Sequence, residues 1–196
     1  VRVRWSQSGF ASPSAADTTG SRNLLGFKDG TNNLSPGDDA AFNRFVWVGD
    51  ETDQPWMRGG SYLVARRIHL RLGVWDDESV ESQERTIGRR KNSNAALTPL
   101  PVAAHVRLAS HATNGGVRIL RRGYSYAGGV TSDGSVDAGL QFLAYQRDPR
   151  TQFVRLQHSL ARHDALNEYA VHTGSAVFAV PPGVQPGTAW AQQLTG

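Results

Sequence analysis

Apolar positions along this 196-residue chain fall into two regimes. Before residue 60 no period holds for long. Gly, Ser, Asn, Asp and Pro interrupt the chain in SPSAADTTGSRN and DGTNNLSPGDD, and only DDAAFNRFVW carries a short helical run. From Tyr62 the pattern changes. YLVARRIHLRLGVW sets Leu63, Ala65, Ile68, Leu70 and Leu72 among polar residues in an imperfect alternation, which predicts a strand. DDESVESQERTIGRR opens acidic and ends basic, as suits a helix dipole, so a helix is expected there. KNSNAALTPLP reads as a loop, and HVRLAS, GVRILRRGYSY and GLQFLAYQRD read as extended segments. In TQFVRLQHSLARHDALNEYAVH, Phe153, Leu156, Leu160 and Leu166 fall near helical spacing, which predicts one long helix. GSAVFAVPPG reads as a closing strand stopped by prolines.

The main order is strand, helix, strand, strand, helix, strand. That is the ferredoxin-like α+β unit, a four-stranded antiparallel sheet with helices on one face. The unit would occupy residues 61–196, after a loop-rich segment over residues 1–60. Loops of that length in a compact protein often carry function. The fold alone names no activity.

Composition narrows the classes. No apolar run approaches the roughly 18 to 20 residues that span a bilayer. The formal charge is +4, and only Lys28 and Lys91 are lysines, so the positive charge is nearly all arginine. Arginine suits carboxylates, which it holds with two parallel hydrogen bonds. The arginines are spread among acids without a basic run, which argues against nucleic acid. The absence of cysteine excludes disulfides, thiolate metal ligands and Cys nucleophiles. The six histidines form no HExxH, and no GxSxG elbow, GxGxxG or P-loop is present. Val1 is not a start methionine, so the segment is expected to begin within a longer protein or after processing, with any export signal upstream.

Three segments carry the chemistry: GFKDG at 26–30, AHVRLAS at 104–110 and ILRRGYSY at 119–126. Their order and spacing resemble the dye-decolourising peroxidases, a haem peroxidase family. GFKDG resembles that family's GxxDG motif. AHVRLAS resembles the segment around its proximal histidine, and ILRRGYSY its distal-arginine segment. WDDESVESQERTIGRRK, GLQFLAYQRD and the GSAVFAVPPG ending also resemble the family, so the likeness spans most of residues 21–182. RRGYSY is most similar to the secreted bacterial branch. The resemblance implies two ferredoxin-like units per protein in a dimeric α+β barrel fold, with haem b, one per chain, held mainly by the C-terminal unit. Residues 61–196 would be that unit, and residues 1–60 the end of an N-terminal unit that is otherwise missing here.

The resemblance also implies roles. His105 would be the axial ligand of the haem iron. Its other ring nitrogen needs an acceptor, for which Asp164 is the first choice and Glu168 the second. A carboxylate there would favour a high-valent oxoferryl intermediate. On the peroxide side, Asp29 would move the proton and Arg121 would stabilise charge on the leaving oxygen. An Asp that works ionised beside an Arg implies an acidic optimum. Gly30, Thr31 and Asn32 would lie along the haem edge, Gly30 allowing close backbone approach. Arg107 is a candidate for a haem propionate. The family usually carries Asn-Pro-Arg where this chain has Ser110, His111 and Ala112. That departure leaves the local propionate contacts open and makes His111 a rival axial ligand.

Plainer readings stand beside these. Asp29 in DGTNN could be a turn residue, His105 a strand histidine, and Asp164 a helix cap. Arg122 is read as the solvated member of the Arg121–Arg122 pair. Tyr124, Tyr126, Phe142 and Tyr145 read as core or pocket lining, and any of Trp5, Trp47, Trp56, Trp75 and Trp190 could serve bulky dyes at the surface. The expected function is reduction of hydrogen peroxide with oxidation of dyes, phenols or similar donors. Iron-uptake chemistry, namely ferrous oxidation or iron release from haem, and haem binding without turnover are the alternatives. Export to the periplasm or medium is expected, with the cytoplasm left open, and a homo-oligomer is compatible with the sequence.

Overall fold

The computed structural model describes residues 2–3, 5–11, 22–132, 134–189 and 192. Trp190 therefore lies outside the described residues. The loop-rich segment contains one helix, α1 (Asp39–Phe45), whose N-terminus is capped by Asp38 accepting from the Ala41 N–H at 3.0 Å. Strand β1 (Ser61–Leu70) follows, then α2 (Leu72–Asp76), α3 (Val80–Ile87) and α4 (His105–Leu108). Strands β2 (Leu120–Val130) and β3 (Val136–Gln146), helix α5 (Phe153–His163) and strand β4 (Ala170–Val180) complete the chain. Every strand pairing is antiparallel and the spatial order is β2-β3-β1-β4. This is the ferredoxin-like sheet that the order of elements predicts.

Three elements differ from expectation. HVRLAS is not extended: α4 begins at His105 itself, after an extended Ala104. A single turn of helix is too short to show a period. β1 stops at Leu70, and the expected LRLGVW continuation turns into α2, whose Trp75 N–H returns to the Arg71 carbonyl at 2.9 Å. The long helix ends at His163, because the next residue, Asp164, is extended and caps a short 3-10 turn over Ala165–Glu168. β4 then starts at Ala170, ten residues before its last, so AVH belongs to the strand.

Register decides which side chains share a face. Arg66 lies opposite Phe142, and Phe142 opposite Gly123. Arg66, Ile68, Leu140, Phe142, Arg121 and Ser125 therefore look toward α4 and α5. Tyr145 and Leu120 look the other way, where they pack with Leu34, Val46 and Ala41 of α1. The second cluster holds Trp75, which is fully buried with its ring edge-on to Phe27 and Tyr169 at centroid distances of 6.1 and 4.9 Å. Its indole N–H donates to the Leu25 carbonyl at 3.1 Å. Arg22 bonds the carbonyls of Gly26 and Lys91, each at 2.7 Å. These contacts tie the loop before Asp29 to the helical layer, so a segment without regular structure is held in place by side chains. Trp75→Ala would remove the anchor at a cost of about 3–5 kcal/mol.

Candidate functional site

One cavity of about 420 Å³ lies between the sheet face and the helices α4 and α5. Its walls include Leu70, Leu140, Phe142, Leu156 and Leu160, and Asp29, Arg121, His105 and Asp164 also line it. The size and the mix of apolar wall with few polar groups suit a small-molecule or cofactor site.

On one side, His105 opens α4 and Asp164 ends α5. The Asp164 side chain is only 4% exposed. Its Oδ2 lies 2.6 Å from His105 Nδ1, and its Oδ1 accepts from the Leu166 N–H at 2.9 Å. A carboxylate is an acceptor only, so Nδ1 is the donor in this bond, and the neutral ring in this tautomer keeps its lone pair on Nε2. The Ala165 N–H bonds the Ala103 carbonyl at 3.0 Å, fixing the two segments together beside the pair. Asp164 thus works as a cap and as the histidine's acceptor at once, where the sequence left these as alternatives. Glu168 is exposed and does not line the cavity.

On the other side, Asp29 Oδ1 lies 3.5 Å from Arg121 Nη1 and accepts from the Gly30 N–H at 2.6 Å. Gly30 holds φ +75°, so glycine is needed there for backbone shape. Arg121 and Arg122 point to opposite faces of β2, and Arg122 is exposed. Residue Asn33, which sequence reasoning passed over, connects the two halves of this pair. Its carboxamide donates to the Arg121 carbonyl at 2.8 Å and accepts from the Arg121 N–H at 2.9 Å. It pairs with edge strand β2 as a neighbouring strand would, and so sets the loop carrying Asp29 against the residue that carries the guanidinium. The repeated Asn in DGTNN was the available signal.

Thr31, Asn32, Ser110 and His111 line the cavity as well. Arg107 does not; its guanidinium donates to the Leu100 carbonyl at 3.0 Å. The lining arginines besides Arg121 are Arg66, Arg89 and Arg118, none of which the sequence singled out. His172 of β4 joins them. Burial, and then the Arg66 charge, hold its imidazole below the usual histidine pKa.

A family profile described as Dyp-type peroxidase, C-terminal, matches residues 20–185. The chain belongs to the Dyp-type peroxidase family. It is 46% identical over 205 residues to the dye-decolorizing peroxidase of Thermobifida fusca, covering 91% of this chain and 47% of that protein. It is 38% identical over 207 residues to the deferrochelatase of Yersinia pseudotuberculosis, covering 94% of this chain and 48% of that one. Among solved structures, an oxyferrous complex of DtpA from Streptomyces lividans superposes with a TM-score of 0.91 at 39% identity, over 98% of this chain and 58% of DtpA. The chain therefore spans about half the length of these relatives. Members of the Dyp-type family are oxidoreductases, and haem is the cofactor. The cavity fits that group: it offers a carboxylate-held imidazole with one nitrogen free, apolar walls for a porphyrin, and arginines for its acids. Among the described residues, no helix is long and apolar enough to cross a membrane.

Proposed function

We propose that this chain forms the haem site of a peroxidase that reduces hydrogen peroxide and oxidises dyes, phenols or similar aromatic donors. The observation that carries the reading is one cavity holding two different pairs, His105–Asp164 and Asp29–Arg121. Haem, when bound, supplies the oxidising chemistry, so that hydrogen peroxide, two electrons and two protons become two waters. The residues of the chain do the rest. His105 offers Nε2 to the iron, and Asp164 fixes the ring orientation and makes it a stronger donor. Asp29 takes a proton from one oxygen of hydrogen peroxide and returns it to the other. Arg121 offsets the negative charge that grows on the departing oxygen. Gly30, Thr31, Asn32 and Ser110 border the cofactor. Export fits the secreted branch that RRGYSY resembles.

The test is an absorption spectrum of the purified protein before and after peroxide, with His105→Ala alongside. The wild type is expected to show a ferric haem band that peroxide changes, and His105→Ala to lose it. Normal haem content in His105→Ala would overturn the axial assignment in favour of His111. The 38% identity to a deferrochelatase favours a second reading, release of iron from haem. Iron-free porphyrin among the products, without donor oxidation, would establish that reading in place of the first.

A further inference from the structure

The lining charges of the cavity do not balance. Four arginines (Arg66, Arg89, Arg118 and Arg121) meet two carboxylates, and both carboxylates are engaged: Asp29 with Arg121, and Asp164 with His105. Arg89 rests on the Asn94 carbonyl at 2.9 Å and Arg118 on the Asn33 carbonyl at 3.1 Å. Arg66 has the more demanding surroundings. It rises from the middle of β1 beneath α5, with its guanidinium over the Phe153 ring at 5.4 Å. Gln157 Oε1 accepts from its Nη1 at 2.5 Å. Its Nε is buried and lacks any hydrogen-bond partner. Among the described residues, no carboxylate lies within ion-pair distance of it. Burial disfavours its charged form.

A cation kept at such a place is costly unless something compensates it. The neighbours are arranged to aim it rather than to neutralise it. Gln157 occupies one end of the fork, Phe153 stacks on its plane, and His172 beside it adds no negative charge. With Nη1 on Gln157 and Nε buried, Nη2 is the guanidinium nitrogen left to meet a carboxylate of the ligand through a charge-assisted hydrogen bond.

We infer that Arg66, aimed by Gln157 and Phe153, is a carboxylate-binding subsite of the cavity, filled by an acid group of the bound ligand. The inference rests on the reading of the cavity as a haem site, where a propionate is the carboxylate at hand. A free organic acid has the same chemistry, and the experiment separates the two.

Haem and haem dimethyl ester, which lacks the free acids, are titrated into wild type, Arg66→Met and Arg66→Lys, and benzoate is titrated into the haem-loaded proteins. Each haem-free protein is also melted. Loss of a charge-assisted hydrogen bond corresponds to roughly a ten- to hundredfold drop in affinity. Arg66→Met is expected to lose that much for haem and little for the ester, with Arg66→Lys in between. Its haem-free form is expected to melt no lower than wild type, because an uncompensated charge has been removed. If haem affinity holds but benzoate binding falls, the subsite stands with a free acid as its occupant. An equal loss for haem and ester with a lower melting temperature makes Arg66 structural and overturns the inference, as does no loss for any ligand. If Arg66→Met does not fold, Arg66→Lys decides by the same comparison. A wild type that binds no haem refutes the haem reading itself, which keeps the two failures apart.

Discussion

Asp164 offers a way to separate two jobs done by one carboxylate. Oδ1 caps the 3-10 turn through the Leu166 N–H, and Oδ2 holds His105 Nδ1. Asp164→Asn retains one oxygen for the cap and places an amide NH₂ where the histidine needs an acceptor. Asp164→Ala removes both contacts. A hydrogen bond to a buried charged group contributes about 1.5–3 kcal/mol, and an N-cap about 1 kcal/mol. Asp164→Asn should therefore lose about 1.5–3 kcal/mol and Asp164→Ala about 1 kcal/mol more. For a domain of this size each kcal/mol moves the melting temperature by roughly 2–4 °C. The two haem-free variants should then melt about 3–12 °C and 5–16 °C below wild type. In the haem-loaded protein, losing a metal ligand's hydrogen-bonding partner weakens metal affinity about 10–100-fold. That loss should be alike in both variants, because only the histidine contact concerns the cofactor. Thermal melts and haem dissociation rates, measured by transfer to an excess of apomyoglobin, give both quantities. If Asp164→Asn retains wild-type haem retention while Asp164→Ala loses it, the carboxylate acts only as a cap. The account of a held imidazole would then be refuted.

Other outcomes follow from the same geometry. Asn33→Leu should lower stability by about 2 kcal/mol, two backbone partnerships at about 1 kcal/mol each, and should slow peroxide reduction while leaving the donor KM unchanged; unaltered peroxide kinetics would contradict the coupling of Asn33 to Arg121. Asp29→Asn should slow the peroxide step by about 10²–10⁴-fold without loss of haem, read by stopped flow. Burial, together with Arg66, lowers the His172 pKa. The unfolded chain then binds more protons, so stability should fall as pH drops below about 6.5 toward the folded pKa. His172→Asn should flatten that slope in denaturant titrations, and an unchanged slope would count against it. Glu51, paired with Arg147, is lowered to about 2, so its contribution is present above its unfolded pKa of 4.5 and lost as pH falls toward 2. The side chain is half exposed, so Glu51→Gln should cost no more than about 1 kcal/mol at pH 7.

Much of this site was legible in the chain because chemistry-bearing residues sit in short motifs. GFKDG and ILRRGYSY supply Asp29 and Arg121, and the alternation of β2 separates Arg121 from Arg122. What escaped was set by tertiary structure. HVRLAS alternates like a strand, yet His105 starts a helical turn, because the Ala165 N–H and Asp164 fasten the segment from the far end of α5. The end of α5 itself depends on whether Asp164 turns inward, which no periodicity records. Arg66 and His172 lie on strands whose facing is fixed only once β1 is paired with β3 and β4. Arg107 is the arginine that the resemblance singles out for a propionate, yet its guanidinium bonds the Leu100 carbonyl and it does not line the cavity.

The outer side of β2 has a bearing on solubility as well as on the site. At Arg121 its backbone groups are taken by Asn33, and at Ser125 by Phe10, whose N–H and carbonyl make bonds of 2.8 and 2.9 Å with that residue. The segment can approach this closely because Gly9 has no Cβ; one there would sit 2.9 Å from Tyr124 Cβ. An open strand edge is a template on which another chain can pair. Two irregular stretches, one from each side of the GFKDG motif, close that edge at the two β2 residues that line the cavity. A change that frees the loop carrying Asp29 would therefore expose a sticky margin along with a disordered cavity wall. A damaged cavity and self-association would then appear in the same molecules, and an aggregation screen would find variants of the candidate site.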